Sequence, residues 1–93
     1  MALAFIFEFP GAKQEQFDQV FEKLQFGGKS PPGQLFHVGG PVEGGWRVVD
    51  VWESQDAANQ FFAETFAQAL QEAGVGFPQT QVWPVHTSLK PDV

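Results

Sequence analysis

Apolar positions along this chain follow two rhythms, and each switch between them marks an element boundary. From Leu3 to Phe9 the period is two: Leu3, Phe5, Phe7 and Phe9 share one side and Ala4 and Ile6 the other, until Pro10-Gly11 stops the run. That pattern predicts a strand followed by a turn. From Lys13 to Gln25 the rhythm changes, with Phe17, Val20, Phe21 and Leu24 at i, i+3, i+4 and i+7, the stripe of an amphipathic helix. Glu15 near its start and Lys23 near its end suit the helix dipole, but no Ser, Thr, Asp or Asn precedes Lys13 to cap it. The segment Gly27-Gly28-Lys29-Ser30-Pro31-Pro32-Gly33 cannot continue a helix and reads as the main loop.

Leu35 to Val38 and Trp46 to Glu53 return to the strand rhythm on either side of Gly39-Gly40-Pro41-Val42-Glu43-Gly44-Gly45, whose glycines suit a reversal, so the pair predicts a hairpin. Ser54 is placed to cap a second helix, with Asp56 in its first turn. Ala58, Phe61, Phe62, Thr65, Phe66, Ala69, Leu70 and Ala73 keep helical spacing for about four turns before Gly74. A last strand is expected within Gln79 to Val85, and the tail to Val93 carries no clear pattern.

The order is thus β-α-β-β-α-β, an α+β domain spanning 1–93 with a four-stranded antiparallel sheet. Right-handed crossovers put both helices on the same face of such a sheet and leave the other open. An open face on a lone domain should be polar. Here Ala4 and Ile6 in the first strand, and Val49 and Val51 in the third, make it apolar while Leu3, Phe5, Phe7, Trp46, Val48 and Trp52 line the opposite side. Four strands of about five residues at about 4.8 Å spacing present roughly 300 Å² in projection, at the limit of what monomers leave uncovered. A second copy packed face to face is the simplest cover, and space left between the sheets would be an aromatic-lined pocket.

Composition narrows the functional classes. Ninety-three residues with 43% hydrophobic and 17% charged residues make one folded domain, and eleven Phe with three Trp are a heavy aromatic load. Tyr is absent, so no side chain offers a phenol. A net charge of −6 gives no basic surface for nucleic acid or anionic lipid. The absence of Cys removes thiolate chemistry and disulfides and is compatible with a reducing compartment. The run Ala2 to Phe7 lacks a basic flank and meets Glu8 and Pro10 too soon for a signal peptide, and no stretch reaches the roughly 20 apolar residues of a membrane span. Cytoplasmic residence is the expectation.

His37 and Asp50 are the candidate catalytic pair. If the hairpin sets Pro41 opposite Trp46, His37 lies across from Asp50, whose carboxylate could orient the imidazole as a base; a slip of one residue sets His37 across from Val49 instead. Asp50 shares its strand face with Trp46, Val48 and Trp52, where an ionised carboxylate needs a partner. Trp52, Trp83 and Phe7 are candidate ligand contacts, the two indoles by stacking on a flat molecule, and His86, just past the last strand, is a fourth. A metal set could be drawn from His37, His86 and Asp50 or Glu8, but no His-x-His or His-x-x-x-His spacing supports it, and no metal or cofactor is assigned. The glycines around Pro41 join strand to strand and lack a following Lys-Ser or Lys-Thr, so they are no phosphate loop. No Gly-x-Ser-x-Gly elbow occurs.

The run Phe36-His37-Val38-Gly39-Gly40-Pro41, then Gly44 through Ser54, with Phe61 and Phe62 on the next helix, resembles small bacterial proteins of the dimeric α/β-barrel superfamily, which includes antibiotic-biosynthesis monooxygenase-like domains. The resemblance reaches from the first strand through Pro84-Val85-His86 and implies a ferredoxin-like fold and a homodimer. Members of that superfamily include cofactor-free monooxygenases, haem-binding and haem-degrading proteins, cyclases and stress proteins, so the fold does not select a reaction. Two functions follow as expectations. One is a dimeric binder of a small apolar or aromatic molecule, held in a pocket bounded by the sheet. The other is a cofactor-independent monooxygenase-like enzyme acting on an aromatic substrate.

Overall fold

The computed structural model describes residues 1–24 and 31–89. The expected helix end at Gln25 and residues 27–30 of the predicted loop lie outside this range. In chain order the elements are β1 (Leu3–Pro10), α1 (Gln14–Leu24), β2 (Gln34–Val42), β3 (Gly45–Trp52), α2 (Gln55–Phe61), a π-helical turn (Phe62–Phe66), α3 (Ala67–Glu72) and β4 (Gln79–Pro84). The strands form one antiparallel sheet in the order β2-β3-β1-β4, a ferredoxin-like α+β fold.

Burial follows the alternation read from β1: Phe5, Phe7 and Phe9 are buried against the helices, joined by Val48 and Trp52 of β3, Phe17 and Val20 of α1, and Phe66, Ala69 and Leu70 beyond α2. Each Phe so removed from water contributes roughly 1.5–3 kcal/mol. The aromatic rings interlock: Phe62 meets Phe5 and Phe7 edge-on at 5.4 and 5.1 Å, and Phe9 meets Phe17 at 4.9 Å.

Three local features depart from the sequence expectation. The hairpin strands run further into the glycine segment than predicted, because Gly39 and Gly40 pair with Val48 and Arg47 in the ladder and only Glu43-Gly44 turns, with Gly44 at φ 82°. The missing cap of α1 is supplied from within the helix: the Gln16 side chain accepts from the Lys13 backbone N–H at 2.9 Å, half of a capping box. The second helix is not a uniform α-helix. At Phe62–Phe66 it widens, and the Ala67 N–H donates to the Phe62 carbonyl five residues back. The widening lets the consecutive rings of Phe61 and Phe62 both reach Trp52, at 5.2 and 5.6 Å, where an α-helix would turn one of them about 100° away.

The face away from the helices is ordered in rows across the sheet. Strand register aligns Phe36, Val51, Ala4 and Trp83 in one row, Val38, Val49, Ile6 and Gln81 in the next, and Gly40, Arg47, Glu8 and Gln79 in the third. The first row is apolar throughout. In the third, Arg47 Nε donates to Glu8 in a surface ion pair. Phe36, Val38 and Trp83 are 51%, 48% and 44% exposed, which leaves an unusually apolar strip in water. Among the described residues no helix is long and apolar enough to cross a membrane.

Candidate functional site

The hairpin register decides the site. With Val42 paired to Gly45 across the tight turn, Pro41 falls opposite Trp46 and His37 opposite Asp50. Of the two registers open to the sequence, this is the one that brings the pair together. Period two then turns His37, Asp50 and Trp52 toward the helices.

Asp50 is the only charged residue in the buried core among the described residues, 3% exposed. Its two oxygens have separate partners: His37 Nδ1–H donates to Oδ1 at 2.6 Å, and the Trp52 indole Nε1–H donates to Oδ2 at 3.3 Å. A carboxylate in such surroundings is held by its donors, and it fixes theirs in return. With Nδ1 occupied as donor, the neutral imidazole presents Nε2 as its acceptor. The His37 side chain remains 26% exposed, so the ring bridges the buried carboxylate and the surface. Phe21 of α1 stands against it at 5.2 Å, its plane turned by 65°. The arrangement can take a proton from a ligand at one imidazole nitrogen while the carboxylate stabilises the cation formed.

The remaining candidates separate. Trp52 is fully buried between Asp50 and the rings of Phe61 and Phe62, and Phe7 is in the core at 4% exposure. Trp83, paired with Ala4, lies on the opposite face of the sheet, so Trp52 and Trp83 cannot stack on one ligand within a single chain. His86 is exposed beyond β4. Among the described residues no three His, Asp or Glu side chains converge as a metal set would.

Two parts of the site were not singled out from sequence. The donor role of Trp52 was within reach, since it follows Asp50 by two positions on the same strand face. The approach of Phe21 to His37 depends on how α1 lies across β2, for which the helix stripe carries no signal. A separate cleft of about 350 Å³ lies between the Pro31-Pro32 turn and the helix, with Phe61, Glu53 and Glu64 among its walls, and neither His37 nor Asp50 lines it.

Comparison with solved structures assigns the chain to a structural class. It superposes on SnoaB from Streptomyces nogalater, described as a cofactor-independent oxygenase, with a TM-score of 0.67 at 16% identity, covering 97% of this chain and 98% of that one. Rv0793 from Mycobacterium tuberculosis matches with a TM-score of 0.68 at 10% identity over 97% and 100% of the two chains. A Chloroflexus aurantiacus protein provisionally named an antibiotic biosynthesis monooxygenase matches at 0.64 and 18% identity over 95% and 97%. No protein-family model matches the sequence, and no curated protein is detectably similar to it. The neighbours are antibiotic biosynthesis monooxygenase-like proteins of ferredoxin-like fold, in agreement with the resemblance carried by β2 and β3. At these identities the likeness defines the fold, and chemistry must be argued from the residues.

Proposed function

We propose that this protein is a homodimeric, cofactor-independent oxygenase of a small hydroxylated aromatic molecule, with His37 as the base and Asp50 orienting it. The observation that carries the reading is the 2.6 Å pairing of a partly exposed imidazole with a buried carboxylate that is also held by Trp52. A fold likeness to a protein described as a cofactor-independent oxygenase supports it. In this reaction His37 Nε2 takes the phenolic proton and the resulting phenolate supplies two electron pairs to dioxygen. A carbon–oxygen bond forms at a ring carbon, and the carbon–hydrogen and oxygen–oxygen bonds break. The phenol and one dioxygen become a quinone and one water, with both hydrogens leaving in the water.

Oxygen uptake with 1-naphthol and its dihydroxylated analogues tests the assignment. The wild type should consume oxygen, and His37→Gln and Asp50→Asn should each slow it at least about a hundredfold, the usual contribution of a general base. Unchanged rates in both variants would remove the dyad from the chemistry. A second reading, a binder of a small apolar or aromatic molecule, is favoured by the cleft of about 350 Å³ beside Phe61. It predicts saturable binding of naphthols without oxygen uptake.

The dimer is proposed from the open face. Its row of Phe36, Val51, Ala4 and Trp83 is what a second copy would cover through a two-fold axis, since a self-complementary apolar strip is satisfied by its own rotated image. Sedimentation at micromolar concentration should give twice the monomer mass; a single-subunit mass would refute it.

A further inference from the structure

The dyad does not use one anomalous group on its own side of the sheet. The Trp46 indole Nε1 is shielded from solvent and has no hydrogen-bond partner among the described residues. An orphaned indole N–H costs about 1–3 kcal/mol in lost hydration, and such a cost calls for a reason. The ring is not loose: it lies flat on Phe17, with centroids 5.3 Å apart and planes 9° from parallel, so its N–H direction is fixed.

That direction leads to Gly39. A side chain begun at Gly39 would put its Cβ 3.2 Å from Trp46 Nε1 and 3.4 Å from Val48 Cγ2, covering the N–H. Gly39 has no positive φ to demand glycine. What the glycine provides here is a bare stretch of backbone, exposed, on an edge strand whose sole neighbour is β3. An edge strand yields to an incoming group more readily than a central one. Along β2 the next residue on the same face is His37, about 7 Å from Gly39 by strand rise.

We infer that Trp46 is a substrate-anchoring donor: its N–H accepts no partner from the protein because it is kept for an oxygen of the ligand, over Gly39, while His37 engages a second oxygen of the same molecule. This inference rests on the proposed role of the dyad and sharpens it by naming the substrate class. The molecule is an aromatic ring with oxygen functions on opposite sides, a hydroxyl for His37 and a carbonyl or second hydroxyl for Trp46. A preoriented donor in a dry setting binds an oxygen that gains negative charge more strongly than one that does not, and the oxygen remote from the deprotonated hydroxyl gains charge by conjugation.

Equilibrium binding of 4-hydroxybenzaldehyde and of 4-methylphenol separates the two roles, because the second lacks the remote oxygen. The wild type should bind the aldehyde about tenfold more tightly than 4-methylphenol, the effect of one hydrogen bond to a charged group. Trp46→Phe, which keeps a ring on Phe17, and Gly39→Ala, which covers the N–H, should each erase that preference. His37→Gln should weaken both ligands alike. If both phenols bind, His37→Gln weakens them and the preference is absent or survives in Trp46→Phe and Gly39→Ala, the anchor is refuted and the dyad stands. If neither phenol binds the wild type, the dyad's role and the anchor fail together. Circular dichroism spectra that match the wild type qualify each variant. Should Trp46→Phe fail to fold, Gly39→Ala decides alone.

Discussion

Trp52 donates its indole N–H to Asp50 Oδ2 at 3.3 Å while its ring is sealed in the core, so one residue both packs the fold and aims the carboxylate. Replacing it by Phe removes the donor and opens space under Phe61 and Phe62. The expected loss is about 2–4 kcal/mol in urea unfolding, the sum of a missing hydrogen bond to a charged group and a partly filled void. Oxygen uptake should fall as well, through Asp50's looser hold on His37. A stability change below about 1 kcal/mol would mean that the core closes over the site without help from the indole.

Gly45 is where the third strand passes tightest to the first. A Cβ there would collide with the backbone carbonyl oxygen of Phe9 and stand 3.0 Å from the Gly11 nitrogen. Gly45→Ala should therefore cost at least about 2 kcal/mol in denaturant unfolding, since backbone has to shift. Gly76 has nothing within 4 Å of the corresponding position and no positive φ. Gly76→Ala should be neutral or gain up to about 1 kcal/mol by restricting the unfolded chain. Equal effects at the two sites would contradict the close approach.

Glu72 ties α3 to α1 through Lys23 at 3.0 Å. The hydrogen bond from Lys23, then that from Gln68, holds the Glu72 carboxyl below its ordinary value. A depressed carboxyl contributes stability above its unfolded value and loses it as the pH falls through the folded one. The wild type should therefore lose a small increment on acidification that Glu72→Gln never has. The two stability curves, measured by urea titration from neutral pH downward, should converge in acid; parallel curves would remove the link. The increment is small because both side chains are nearly half exposed.

Charges placed on the open face should separate the proposed pair. Phe36→Glu with Trp83→Glu puts like charges at both ends of the apolar row and leaves the helix face untouched. Sedimentation should shift to the single-subunit mass with the circular dichroism spectrum unchanged. Persistence of a double mass would place the contact elsewhere.

The element order and the face of each strand were legible because period two in β1 and β3 is unbroken, with Phe at alternate positions. The His37–Asp50 pairing was legible only as a condition on register. Alternation tells which face a residue takes but not its partner across the ladder, and the partner depended on where within seven loop residues the chain turned. The extension of β2 through Gly39 and Gly40 was hidden for a related reason: glycine's freedom suits a turn, yet here the ladder holds both. The Trp46 N–H was beyond reach, since an absent partner leaves no mark in the sequence.

The π turn at Phe62–Phe66 holds one residue of slack. Deleting any single residue within it would restore regular winding and rotate everything downstream by about 100°. Ala69 and Leu70 would then swing from beneath the sheet toward water, and β4 would begin out of phase with β1. The length of this helix is therefore fixed by the geometry of both its halves, so that descendants of this gene can exchange its residues more easily than they can lose one.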